Sequence, residues 1–275
     1  AELAYQAAHA PSVPDRLWAL DQLGGASAKD KVLARAAVRA SILHDPFYGV
    51  RVNALDAAAA LDDARTIGLA LRDADPRVRI AAGQAVGALA HADDTALIAA
   101  LREAAASTDA WTAGAAYQGL GAAKAPGSYD ALVAALRRPS YAAVIARGAI
   151  TGLGALGDRR AIPLLEAWAR YGAPEAARPA AIGALAKLGR KHSHALMPLL
   201  ESIALHDPYF RARGAAVGGL GTLGSPHAIA VLRQVERNDL EGGVKNAASD
   251  AIVIAEAAAA SAKHRSPKTP VKKRG

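Results

Sequence analysis

An all-α fold is what this sequence predicts: an α-solenoid, a right-handed superhelix of about eight helical hairpins. Three observations carry the prediction. The 275 residues are 52% hydrophobic yet hold only two Phe and three Trp, so alanine and leucine dominate, which suits thin layers of helices better than one large core. Residues 44–61, HDPFYGVRVNALDAAAAL, return at 206–223 as HDPYFRARGAAVGGLGTL, the mark of an internal repeat. Finally, small and apolar residues recur three, seven and ten positions after an anchor in each repeat, which is one face of a helix.

The anchors are Arg16, Arg51, Arg79, Ala113, Ala146, Arg178, Arg213 and Lys245, spaced 28 to 35 residues apart. That is room for two helices and two turns. Three residues on, all eight repeats have alanine: Ala19, Ala54, Ala82, Ala116, Ala149, Ala181, Ala216 and Ala248. A larger side chain there would hold the two helices of a hairpin apart, at a cost of about 1–3 kcal/mol. The anchors mark the second, or B, helix of each hairpin. The A helices are expected at 31–43, 64–71, 95–105, 129–136, 161–169, 194–205 and 227–236.

Asp45-Pro46, Asp75-Pro76 and Asp207-Pro208 read as B-helix starts, the Asp accepting from orphan N–H groups and the Pro occupying the first helical position. The same acids are expected to pair with the Arg four to six residues later in a ladder bridging neighbouring repeats, as in Asp45/Arg51 and Asp207/Arg213, with Asp75 and Arg79 in equivalent places. Gly152, Gly154, Gly183, Gly218, Gly219 and Gly221 fall in later B helices. Each costs about 1 kcal/mol relative to Ala, and close helix approach is the expected compensation.

Net charge is +8, but six of the 33 Lys and Arg lie in 263–275, KHRSPKTPVKKRG, leaving 27 against 25 acids in the first 262 residues. Two domains follow: a solenoid over 1–262 and a basic, disordered tail over 263–275, whose only expected ligand is weakly and nonspecifically held nucleic acid. The uncharged run 214–232 is broken by GSPH at 224–227, which argues against a membrane span. Absence of Cys excludes disulfides and thiolate metal sites. A soluble protein is expected, cytoplasmic rather than periplasmic. The chain begins AELAYQ without an initiator Met, so it reads as part of something longer.

No catalytic residue, metal ligand or cofactor is assigned. None of the eight His is followed by Glu, so there is no H-E-x-x-H site, and no G-x-x-x-x-G-K-[ST] loop occurs. His192 and His194 form a close pair without a carboxylate nearby, too few ligands for zinc. Seven of the twelve aromatics, Phe47, Tyr48, Trp111, Tyr141, Tyr171, Tyr209 and Phe210, fall at or just before B-helix starts. A stack would line them along one edge, either as a ridge for a protein or peptide partner or as hydrophobic staples of the A-to-B turns.

Units of this length with Asp-Pro, Arg and Ala/Leu at these spacings resemble HEAT repeats. A HEAT-repeat hydroxylase that modifies a lysine of a translation factor shares the architecture, but it binds iron through His-Glu pairs, which are missing here. The order of the segments AELAYQAAHAPSVPDRLWALDQL, ILHDPFYGVRVNALDAAAAL, DPRVRIAAGQAVGAL and HDPYFRARGAAVGGLGTLG resembles the C-terminal helical domain of bacterial zinc aminopeptidases of the aminopeptidase N type. That resemblance covers about residues 1–255 and implies a noncatalytic domain that packs on the catalytic domain of its own parent chain and shapes peptide access. The zinc would belong to that catalytic domain, not to these residues. The alternative is a freestanding HEAT scaffold for protein partners. A HEAT-like DNA repair glycosylase is disfavoured by the nearly neutral body.

Deleting 263–275 is expected to abolish retention on duplex DNA at low salt while leaving the helical circular dichroism signal and Tm unchanged. Filter binding at two salt concentrations, with melting of both proteins, checks it.

Overall fold

The computed structural model describes residues 1–189 and 193–265, with side chains described for 1–189 and 196–257. The side chains of the His192/His194 pair and of the basic tail lie outside the described residues. Among the described residues there are sixteen α-helices and no strand. The A helices are α1 (Glu2–His9), α3 (Lys31–His44), α5 (Ala64–Ala70), α7 (Thr95–Ala105), α9 (Ser128–Ala135), α11 (Ile162–Ala169), α13 (Ser193–His206) and α15 (Pro226–Asn238). The B helices are α2 (Val13–Gly24), α4 (Tyr48–Ala60), α6 (Pro76–Ala85), α8 (Ala110–Ala122), α10 (Val144–Leu156), α12 (Arg178–Gly189), α14 (Phe210–Leu223) and α16 (Gly242–Arg265). Every expected A helix is present. The sequence reading lacked α1, the partner of the first B helix, and α16 continues three residues into the segment read as tail.

The chain divides into two compact units, Ala1–Asp158 and the residues from Arg159 onward, whereas the sequence reading had one body over 1–262. The first unit holds five hairpins and the second three. In the first, B helices stack in the order α2, α4, α6, α8, α10, and α1, α3, α5 and α7 stack beside them. In the second, α12, α14 and α16 form the B row. Each layer therefore touches its neighbours in sequence and little else, which is the solenoid plan.

Helix starts follow the acids, with one correction. Asp75 caps α6 by accepting from the Arg77 N–H, and Pro76 takes the first helical position, as the sequence predicts. In the other two Asp-Pro motifs the helix begins later: α4 opens at Tyr48 after Phe47, and α14 at Phe210 after Tyr209. Asp45 and Asp207 there accept from the N–H two residues on, at 2.8 Å from Phe47 and 3.0 Å from Tyr209. Their carboxylates close a turn that precedes the helix, because each is also bound to an arginine of the preceding hairpin.

All eight alanines three places after the anchors are completely buried. A second column of small residues runs eight places after the anchors: Gly24, Ala59, Gly87, Gly121, Gly154, Ala186, Gly221 and then Val253. The structure explains it. At four of these positions the residue meets the one six after the anchor in the next B helix: Gly24 meets Ala57, Gly121 meets Gly152, Ala186 meets Gly219 and Gly221 meets Ala251, whereas Gly87 has open space and Gly83 takes its place against Gly119. The approach is tightest between α8 and α10, where a Cβ on Gly148 would overlap the Gly114 carbonyl and one on Gly121 that of Gly152. Close approach thus accounts for Gly152, Gly219 and Gly221. Gly183 and Gly218 have open space where a Cβ would sit, so helix packing gives no reason for them.

Two substitutions separate the classes. Gly148→Ala is expected to lower stability by more than about 1 kcal/mol through overpacking, whereas Gly183→Ala, in a helix with room for the methyl, raises it by about 0.5–1 kcal/mol. Urea titration of both variants checks the signs. Ala149→Leu, at a fully buried position, is expected to cost about 1–3 kcal/mol, against no change for exposed Lys187→Ala.

Candidate partner-binding edge

The expected ladder exists, but shifted by one repeat. Arg51 donates from Nε to Asp73 of the next hairpin at 2.9 Å and from Nη2 at 3.0 Å, while from its own hairpin it takes the backbone carbonyl of Asp45 at 2.9 Å. Arg213 does the same with Asp239, at 2.7 and 2.8 Å, and with the Asp207 carbonyl. Arg16 forks onto Asp45, and Arg178 onto Asp207. Asp45 and Asp207 are therefore ladder acids for Arg16 and Arg178, not for Arg51 and Arg213. The correction has a simple cause: an acid six residues before the anchor offers that arginine its main-chain oxygen, leaving the carboxylate for the arginine stacked behind it.

Asp75 stands outside the ladder and pairs with Arg77, and Asp73, which the sequence reading passed over, takes the rung. Arg79 finds Ser107 six residues before the next anchor, and reaches instead to Asp109 at 3.3 Å and to the Thr112 hydroxyl. At Ala113 the arginine is gone, and Ser140 stands where the acid would be. Cation and acid are lost together, in the stretch where the glycines bring α8 and α10 closest. Arg138 bridges back there, donating to the carbonyls of Ala105 and Ser107 and to the Tyr117 hydroxyl.

The rungs are well buried: side-chain exposure is 3% and 5% for Arg178 and Asp207. Burial alone would raise the Asp207 pKa, but the hydrogen bonds from Arg178 and the Tyr209 N–H and the charges of Arg178 and Arg213 outweigh it, so the net direction is down. Asp239 is lowered chiefly by its hydrogen bond from Arg213, against a smaller opposing push from burial.

Above three of the rungs the surface dips. A cavity of about 490 Å³ lies over Arg16 and Asp45, walled by His9, Ser41, His44 and Pro46. One of about 330 Å³ lies over Arg51 and Asp73, between His44 and Arg72. In the second unit two cavities, of about 450 and 460 Å³, flank Tyr171 and Pro208 over the Arg178–Asp207 rung. The walls repeat because the residues seven before the anchors, His9, His44, Arg72, Tyr171 and His206, stand at or just beyond the ends of the A helices.

Of the seven aromatics picked out in the sequence, Tyr171 and Tyr209 line these dips. In the first unit Tyr141 is 87% exposed, and Trp111 and Phe47 are also exposed. Tyr48 is half-buried, with the Arg77 guanidinium 3.3 Å from its ring centroid and Phe47 at 5.0 Å. In the second, Tyr171 is 79% exposed and Phe210 is exposed, while Tyr209 is half-buried against Phe210 at 5.7 Å. Tyr141 sits on a turn in which Ala142 and Ala143 both have positive φ, 47° and 52°, a conformation that costs a non-glycine residue about 1–3 kcal/mol. Among the described residues no group of three or more His, Asp or Glu could hold a metal ion, and no helix is long and apolar enough to cross a membrane.

Residues 67–147 and 142–218, together more than half the chain, match the family model for HEAT repeats. The chain belongs to the HEAT-repeat family. Residues 212–237 also match the PBS lyase HEAT-like repeat. Among curated proteins none matches the sequence. Two solved structures are similar: human deoxyhypusine hydroxylase in complex with glycerol, at 19% identity over 93% of this chain and 95% of that one, with a TM-score of 0.40; and the complex of CpcE and CpcF of phycocyanin lyase from Nostoc sp. PCC7120, at 22% identity over 98% and 89%, with a TM-score of 0.46.

These findings correct the resemblance to the zinc aminopeptidases. The family matched is that of HEAT repeats, and no curated protein matches the sequence. The physical reason is that the residues carrying the resemblance, Asp-Pro, Arg and Ala at fixed spacing, are the turn acid, the rung and the buried seam that the stack itself requires. The parent's zinc and its catalytic domain as a partner fall with it.

Arg178→Ala leaves a buried carboxylate unpaired and is expected to cost about 3–5 kcal/mol, while Arg72→Ala, whose pair with Glu103 is exposed, costs at most about 1 kcal/mol. Because the Asp207 and Asp239 pKa values are depressed, their stabilisation is complete above the unfolded carboxyl value near 3.9 and disappears as pH falls through the folded values. Tm should drop on acidification below about pH 4, and the drop should be shallower in Asp239→Asn. Calorimetry across pH 2–6 checks both.

Proposed function

We propose that the chain is a HEAT-repeat scaffold that binds protein partners along its aromatic edge. The observation that carries this reading is the placement of large rings in water by a protein with so few of them: Phe47, Trp111 and Tyr141 in the first unit and Tyr171 and Phe210 in the second are exposed, although the core is filled by Ala, Leu, Ile and Val. Rings that staple a turn bury one face in it; Tyr141 and Tyr171 do so least. Aromatic side chains beside shallow cavities are the usual anchors of protein interfaces.

The experiment is quantitative affinity capture with three proteins: the natural sequence; a variant with Phe47→Ser, Trp111→Ser, Tyr141→Ser, Tyr171→Ser and Phe210→Ser; and a control with Val32→Ser and Leu33→Ser on the exposed face of α3. Partners are expected to be lost about tenfold or more from the edge variant, with Tm unchanged and the control unaffected. Retention by the edge variant with loss from the control places the interface on α3 and overturns the reading.

A further inference from the structure

Within the second unit the edge has a particular chemistry. The two cavities meet at the Tyr171 ring and Pro208, over the buried Arg178–Asp207 pair, which neutralises itself. One is floored by Leu199 and Ile203 and rimmed by Arg170 and His206. The other lies between Ala173 and Tyr209, with Glu175 on its rim. Arg170 is exposed and outside every ion pair among the described residues. Beyond Tyr209, exposed Arg211 carries its guanidinium 5.7 Å from the Phe210 ring centroid. On the rim of the cavity floored by Leu199 and Ile203 stand the Arg170 guanidinium and the His206 imidazole, and the carboxylate in its lining, Asp207, is already held by Arg178.

We infer that this double cavity binds an extended acidic segment of a partner protein, with a carboxylate received by Arg170 and His206 over Leu199 and Ile203 in one cavity, and the apolar side chain two residues away seated between Ala173 and Tyr209 in the other. The inference rests on the proposed scaffold function and names its partner's chemistry. Arg170, outside every ion pair among the described residues, supplies the charge complementarity. Alternate side chains of an extended strand point the same way about 6.6 Å apart, so residues i and i+2 can straddle the Tyr171 ring and occupy both cavities. Planar guanidiniums suit carboxylates, which they bind in two-pronged fashion, and the exposed tyrosine ring supplies a stacking face.

The test uses the full chain and a fluorescein-labelled hexapeptide, Gly-Asp-Ser-Leu-Asp-Gly, with an otherwise identical peptide carrying Asn for both Asp. Fluorescence anisotropy is expected to show binding of the acidic peptide, weakened at least about threefold between 50 and 300 mM NaCl and at least about tenfold by the amide peptide. Arg170→Ala and Tyr171→Ala should each weaken it about three- to tenfold, whereas Arg233→Ala, elsewhere in the unit, leaves it unchanged. Equal binding of the two peptides, no binding of either, or indifference to Arg170→Ala overturns the inference. Displacement of the peptide by an equal charge of duplex DNA also overturns it, in favour of a nucleic-acid ligand. If the peptide fails while the edge variant still loses its captured partners, the acidic class alone is wrong; if both fail, the scaffold reading falls with it.

Discussion

In five of the eight hairpins an arginine reaches forward to the carboxylate of the next, and this rung sets the register of the stack there. The rung joins three things at once: the arginine's own turn, through a main-chain carbonyl; the next hairpin, through a forked ion pair; and the start of the next B helix, because the same carboxylate accepts an N–H two residues on. A buried pair of this kind contributes little net stability against an apolar substitute, yet breaking half of it is costly. Its effect is therefore on specificity of stacking: a slipped hairpin leaves a charge buried alone.

Where the rung is missing, glycine replaces it. Ala113 and Ser140 stand in place of arginine and acid, and the adjoining helices α8 and α10 approach until backbone meets backbone at Gly114, Gly121, Gly148 and Gly152. Dispersion over a tight, flat contact substitutes for charge, at the entropic cost of four glycines in helices. The last repeat changes both devices together, with Lys245 as anchor and exposed Val253 in the small-residue column.

The rungs also shape the surface. Because each arginine and acid spend their hydrogen bonds on one another and on the turns, the cavities above them have neutral floors, and their character comes from the rim. In the first unit that rim is His9, His44 and Arg72; in the second it is Tyr171, Arg170 and His206. The repeat supplies the cavity, and residues free of packing duty supply its preference.

The sequence by itself determined the hairpins, their boundaries to within a few residues, the buried alanine column and the row of aromatics, because each depends on spacing along one helix or on turn chemistry within a few residues. It also held the ladder's members without their pairing. Asp45 and Arg51 are neighbours in the chain and were paired as such, but only the stacking of one hairpin on the next shows that Arg51 reaches Asp73 and that Asp45 belongs to Arg16. The same holds for the seam of small residues eight after each anchor, written in all but the last repeat and meaningful only once the crossing point of two B helices is known. The aminopeptidase resemblance failed for a related reason, since residues that stacking demands of any such repeat carry no information about a parent enzyme. Tertiary structure alone decided which rings face water and that Arg170, outside every ion pair among the described residues, stands over a cavity, because exposure is a property of what packs beside a residue and not of the residue itself.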